Sequence, residues 1–145
     1  MAFERLTYHI IFATKHRQLL ILPNLEAQTH AIISTKCRDL GATVRIVNGI
    51  ADHIHILVDI PFKCCGSEFV KELKRRSSND LKTIIPGWQG WQEGYGVFSV
   101  SYSQIPTVYK YIENQLLHHT ERTSLEEYKL FLKKHGLESD SKYIE

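Results

Sequence analysis

From Asp52 to Ile60 the chain alternates: Ile54, Ile56, Val58 and Ile60 fall on one face and His53, His55 and Leu57 on the other. A period of two marks a strand, and one fully apolar face marks a buried one. Leu6 to Thr14 alternates likewise, with Leu6, Tyr8, Ile10 and Phe12 together. Thr43 to Ile50 reads as a strand whose tail, Asn48-Gly49, is expected to turn directly into the histidine strand. Val97 to Ser101 reads as a fourth, short strand.

Helical spacing fills the gaps. Pro23-Asn24 precedes a helix from Leu25 to Leu40, with Asn24 as N-cap, Glu26 in the first turn and Gly41 as the stop. A second helix starts at Ser67 and is expected to end near Pro86-Gly87. A third starts between Ser103 and Thr107, because Pro106 is tolerated only in a first turn. A last amphipathic helix spans Leu125 to His135. Gly87 to Gly96 holds four glycines, both tryptophans and Tyr95, which predicts an ordered loop with aromatic anchors. The order β-α-β-β-α-β followed by helices predicts an α+β, ferredoxin-like split βαβ fold. Its antiparallel sheet carries helices on one face, and the tyrosine-bearing third helix covers the other. No repeat or interdomain linker interrupts residues 1–145, so one domain is expected.

Composition narrows the class. With 145 residues, 43% hydrophobic and 23% charged, the chain can bury a core without staples. No stretch has the apolar length of a membrane span, and no signal-peptide layout opens it. Three cysteines, two of them adjacent, argue against a disulfide framework and a zinc site, and for a reducing cytoplasm. A net charge of +2 does not announce a nucleic-acid binder, but its distribution does more. Lys71, Lys74, Arg75 and Arg76 cluster on the second helix, where Lys71, Lys74, Arg75 and later Lys82 form a basic stripe. Either this is a solvated face or it tracks phosphates.

Two segments carry candidate chemistry. His53 and His55, at i and i+2 on one strand face, can reach a single metal ion. They are not needed for the apolar face. Asp52 could orient an imidazole, although a turn role is the one expected. On the third helix Tyr111 and Gln115 stack at i and i+4, beside the stripe of Val108, Ile112 and Leu116. Of the seven tyrosines, Tyr109 with Glu113 at i+4 is the competitor. Tyr111 is preferred because its row continues to a residue with a carbonyl oxygen to offer a metal. His118 and His119 could add a ligand, touch a phosphate, or simply answer the helix dipole. A metal pair, a phenol and an amide oxygen are the parts needed to cut a phosphodiester covalently.

His53-Ile54-His55 within Asp-His-Ile-His-Ile-Leu-Val, and Tyr111-Ile-Glu-Asn-Gln115, resemble the signatures of the single-tyrosine HUH transposases of small bacterial insertion sequences. Tyr8 to Lys15, Lys74 to Ser78 and Trp91 to Gly96 are similar to that family too, so the resemblance spans nearly the whole chain in matching order. It implies a metal-dependent enzyme that cuts and rejoins single-stranded DNA at hairpin-marked element ends. Tyr111 would be the nucleophile, joined to the 5′ phosphate and leaving a free 3′ hydroxyl. His53, His55 and Gln115 would hold the metal, with Mg²⁺ the expected ion and Mn²⁺ suited to work in vitro. A phenol with an ordinary pKa near about 10 needs help to ionise, and no base is evident. The resemblance also implies a homodimer in which one tyrosine helix can complete the partner's histidine site. The strand edge from Val44 to Asn48 is one place for such pairing.

Two other classes compete. A domesticated hairpin-binding protein would keep the fold without transposing, but the intact chemical residues argue against lost chemistry. A plain small-molecule binder would not need the tyrosine–glutamine helix. Imperfect palindromes flanking the gene would favour a mobile element.

Overall fold

Tyr8, Ile10, Phe12, Ile54, Ile56 and Val58 share one apolar face, and that face organises the molecule. The computed structural model describes residues 2–115 and 124–137. Its strands are β1 (Thr7–Ala13), β2 (Thr43–Ile50), β3 (His53–Asp59) and β4 (Gly96–Ser99). Its α-helices are α1 (Glu26–Asp39), α2 (Gly66–Leu81), α3 (Ile105–Glu113) and α4 (Ser124–Lys134). The strands form one sheet in the order β2-β3-β1-β4, with every neighbour antiparallel. This is the split βαβ arrangement that the alternation predicts.

Helices α1 and α2 cover the isoleucine face through Ile33, Cys37, Phe69, Val70, Leu73 and Leu81. Burial raises the Cys37 thiol to about 12, leaving an inert apolar side chain. Across the sheet, α3 seats Ile105 and Ile112 on Leu57. Leu132 of α4 packs with Ile11 and Phe98. Full burial of a side chain such as Ile112 contributes about 1.5–3 kcal/mol. The histidine face is therefore covered, by the tyrosine helix and by α4.

Several boundaries differ from expectation. The β2–β3 turn is at Ala51-Asp52, not Asn48-Gly49, which remain paired with His55 and Ile54. Gly49 is required within the strand because an added Cβ would collide with the His53 carbonyl. The turn is tied back to the chain before α1: Leu20 and Ile21 N–H donate to the Ala51 carbonyl at 3.1 and 3.0 Å. Asn24 does not cap α1. It lies in a 3₁₀ turn (Pro23–Leu25), and Leu25 occupies the cap without a side-chain bond. The second helix stops at Leu81, before Pro86. A 3₁₀ turn (Tyr102–Gln104) precedes α3 and leaves Pro106 in the first turn of the helix.

The glycine–tryptophan loop is ordered by α2. Trp88 Nε1 donates to Ser78 Oγ at 2.9 Å and Trp91 Nε1 to Ser77 Oγ at 3.0 Å. Lys74 Nζ donates to the carbonyls of Gln92 and Gly94 at 2.8 and 2.9 Å. The loop then grips the end of β1: Gln92 N–H donates to Ala13 O at 2.7 Å, and Lys15 N–H to Gly90 O at 2.9 Å. Just beyond, His16 and Arg17 are both left-handed, at φ 57° and 53°. Two successive non-glycine residues in that region cost roughly 1–2 kcal/mol each.

Candidate active site

β3 aims His53 and His55 away from the apolar core, and both imidazoles are buried beneath α3 and α4. Each has its Nδ1 engaged. His53 Nδ1 lies 2.7 Å from Asp52 Oδ1, and because a carboxylate only accepts, Nδ1 donates. Asp52 thus orients an imidazole as well as standing in the turn, so the turn role is only half of its work. His55 Nδ1 lies 2.8 Å from His9 Nε2. One proton serves that pair; placed on His55 Nδ1, it leaves His55 Nε2 as a lone pair. Burial and the neighbouring His55 lower the His9 pKa well below its usual value, keeping it neutral and able to accept.

With the shared proton on His55 Nδ1, both Nε2 atoms present lone pairs toward the same place. Three oxygen-bearing contacts meet them there. Gln115 Oε1 lies 3.2 Å from His53 Nε2. Glu127 Oε1, from α4, lies 2.8 Å from His55 Nε2 and 3.8 Å from His53 Nε2. The ligand atoms of His53, His55 and Glu127 all fall within 4.8 Å of one another, so this buried group can hold a divalent metal. In that tautomer the converging acceptors fit a cation placed among them. The mixed imidazole, amide and carboxylate set suits a hard or borderline divalent ion.

Tyr111 is beside this group. Its ring centroid is 6.0 Å from that of His55 and 6.4 Å from that of His9. Gln115 Nε2 donates to the Tyr111 carbonyl at 3.3 Å, an i to i+4 bond that turns Oε1 toward His53. Tyr109, the competitor, points outward at 37% exposure. Asn48 of β2 donates to the carbonyls of Ile112 and Glu113 at 2.9 and 3.1 Å, tying the end of α3 to the strand beside the histidines. A cleft of about 460 Å³ between β4, α3 and the end of α4 opens on Tyr111 and His9.

The structure thus brings His53, His55, Tyr111 and Gln115 together. It does not bring the basic stripe to them. Lys71, Lys74, Arg75 and Arg76 ride on α2, across the sheet. There the Lys74 ammonium holds the loop, with its pKa lowered by burial, and Arg75 and Arg76 pair with Glu72 at 2.7 and 3.7 Å. His118, His119 and Leu116 lie outside the described residues. His9 and Glu127 were not among the expected site residues. His9 alternates with the Ile10 face but reads locally as one more strand residue, and nothing local marks Glu127. Among the described residues, no helix is long and apolar enough to cross a membrane.

A family model described as "Transposase IS200 like" matches residues 2–115, ending at Gln115 and short of Glu127. The transposase of insertion sequence element IS200 from Salmonella typhimurium (strain LT2) is 31% identical over 116 residues, 75% of this chain and 76% of the relative. The ISDra2 transposase TnpA of Deinococcus radiodurans is 26% identical over 118 residues, 77% and 84% of the two chains. A crystal structure of a candidate transposase from Deinococcus radiodurans R1 superposes with a TM-score of 0.64 at 26% identity, covering 79% of this chain and 93% of that one. A REP-associated tyrosine transposase bound to a REP hairpin shares the fold, with a TM-score of 0.61 at 15% identity over 82% and 72% of the two chains.

Proposed function

This chain belongs to the family of IS200-like transposases, and we propose that it cuts and rejoins single-stranded DNA through a 5′-phosphotyrosine at Tyr111. The observation that carries the reading is the coupling of Tyr111 to the ligand group. One helix turn sets a phenol beside His55 and an amide oxygen on His53. A packing tyrosine would have no need of that second arm.

In the proposed reaction the Tyr111 oxygen attacks phosphorus and loses its proton. A Tyr–O–P bond forms, the P–O3′ bond breaks, and the 3′ oxygen leaves as a hydroxyl. Rejoining is the reverse, with a 3′ hydroxyl displacing the tyrosine, so bond energy is conserved and neither water nor a nucleotide is consumed. His53, His55, Gln115 and Glu127 would hold the divalent ion, with Mg²⁺ the proposed one and Mn²⁺ a working substitute. That ion supplies Lewis-acid polarisation of the phosphate and steadies the departing oxygen. Asp52 and His9 keep the two imidazoles in the tautomer that leaves Nε2 free of hydrogen. Ile112 and Asn48 hold α3 in register, so Tyr111 and Gln115 move as one unit.

Hairpin DNA is the proposed partner, by likeness to the neighbour solved with one. The cations of α2 are the proposed contacts to its phosphates. A homodimer belongs to the proposal because two element ends require two nucleophiles. Incubating the chain with hairpin-bearing single strands and Mn²⁺, then separating under denaturing conditions, should show a protein–DNA adduct that Tyr111→Phe abolishes while hairpin binding persists. An adduct that survives Tyr111→Phe would reject Tyr111 as nucleophile.

A further inference from the structure

We propose that the cleft between β4, α3 and the last turn of α4 seats one nucleotide of the strand being cut, its base against the Phe98–His135 wall and a phosphate held by Lys134. The inference rests on the strand-transfer reading above and gives α4 a part in binding DNA.

Size and position select this cleft. Its volume of about 460 Å³ falls within the roughly 300–1,000 Å³ of small-molecule sites, a class to which a nucleotide belongs by size. The pocket at the His53 end, at about 20 Å³, has room for a water. Tyr111 lines the larger cleft, and so does His9, whose ring contacts His55 at 2.8 Å. A nucleotide seated there lies against the nucleophile and next to the ligand group, so its own linkage to the strand comes within reach of Tyr111. The far wall comes from α4, beyond the residues 2–115 that the family model matches.

The lining sorts by chemistry. Phe98, Val100 and Val108 offer carbon surface, and the His135 ring stacks on Phe98 with centroids 4.3 Å apart and planes 27° from parallel. Such a surface takes the flat face of any base. Gln104 and Thr107 add an amide and a hydroxyl for base or sugar edges. Among the described residues lining the cleft, Lys134 is the sole lysine or arginine, and there is no aspartate or glutamate. The small pocket is lined by Glu93 and Glu127, so an anion is favoured in the cleft and opposed there. Lys36, Arg45, Arg75 and Arg76 each pair with a carboxylate, whereas Lys134 has no ion-pair partner among the described residues. Its rival role is to answer the carbonyl end of α4, but Lys133 in the same turn meets that need.

The test uses the full chain carrying Tyr111→Phe, so that nothing is cut, with Mn²⁺ and two labelled probes: a bare hairpin, and the same hairpin with a single-stranded flank running through the cut. The flank should tighten binding by roughly 5- to 100-fold, the worth of one stacked base. Adding Lys134→Gln should weaken the flanked probe by about 2- to 5-fold and flatten its salt dependence by about 0.7, leaving the bare hairpin unchanged; Lys134→Arg should restore both. An abasic sugar on one side of the cut should remove most of the gain, and on the other side little. A flank that adds no affinity would overturn the seat, as would equal losses from abasic sugars on both sides. Lys134→Gln acting equally on both probes, or on neither, would overturn the phosphate contact. A wild type that neither binds the hairpin nor forms an adduct would reject the strand-transfer reading itself, and the seat with it.

Discussion

His9 Nε2 and His55 Nδ1 lie 2.8 Å apart, with both rings almost fully buried. The contact joins neighbouring strands and decides which nitrogen of His55 is left for a metal. Partners of this kind commonly set ligand affinity by roughly 10- to 100-fold. His9→Phe should therefore weaken Mn²⁺ binding by about that factor, while the ring keeps its packing against Phe98. His9→Gln, which retains an acceptor, should lose less. Calorimetry on the three proteins checks this, and equal affinities would remove His9 from the site.

The alternation in β1 and β3 made the sheet and its two faces legible, because a buried face leaves a strict period of two. The same reasoning reached His53 and His55, and the i, i+4 rule reached Tyr111 with Gln115. His9 was hidden by its neighbours: between Tyr8 and Ile10 it reads as one more strand residue, and its partner is remote in sequence. Glu127 was less legible still. It comes from a helix whose local pattern says only that the helix is amphipathic, and its contact with His55 is made by tertiary packing. The Asn48-Gly49 turn failed for a different reason. Dipeptide preference favours a turn there, but Gly49 is present for close approach to the His53 carbonyl, and Asn48 spends its amide on the end of α3.

Glu127 and Gln115 both offer an oxygen, but of unequal worth. A carboxylate brings a full charge to a dication, while a neutral amide is readily replaced by water. Glu127→Gln should thus weaken Mn²⁺ binding more than Gln115→Ala does. Gln115→Ala should instead act mainly on adduct formation, since it also frees the carbonyl of Tyr111. Metal titration and single-turnover cleavage on each variant test the split. A Glu127→Gln protein with wild-type metal affinity would leave the site to His53, His55 and Gln115.

The cations of α2 divide into two predicted classes. Lys71, Arg75 and Arg76 present charge to solvent, so replacing all three with Gln should weaken hairpin binding and flatten its salt dependence by roughly 0.7 to 0.9 per lost phosphate contact. Sequence preference should hold, because such contacts position DNA rather than read it. Lys74 belongs elsewhere. Its ammonium holds two loop carbonyls, so Lys74→Gln should lower the melting temperature of the free protein. Binding titrations at several salt concentrations and a thermal melt separate the classes. A triple variant with a wild-type slope would mean a merely solvated face.

His30 provides a test of stability that does not depend on the active site. It sits on α1 with Nε2 buried and without a hydrogen-bond partner in the described structure, and burial lowers its pKa from the ordinary 6.5. A depressed folded pKa means that the unfolded chain takes up the proton first. Stability is then complete above the unfolded value and declines as pH falls from about 6.5 toward the folded one. His9 is shifted in the same direction, so the wild-type urea midpoint should drop between pH 7.5 and pH 5. In His30→Leu the drop should be smaller but not absent, since His9 still contributes. Urea melts of metal-free protein across that range measure the difference. Parallel declines in the two proteins would show that burial of His30 is not linked to the loss.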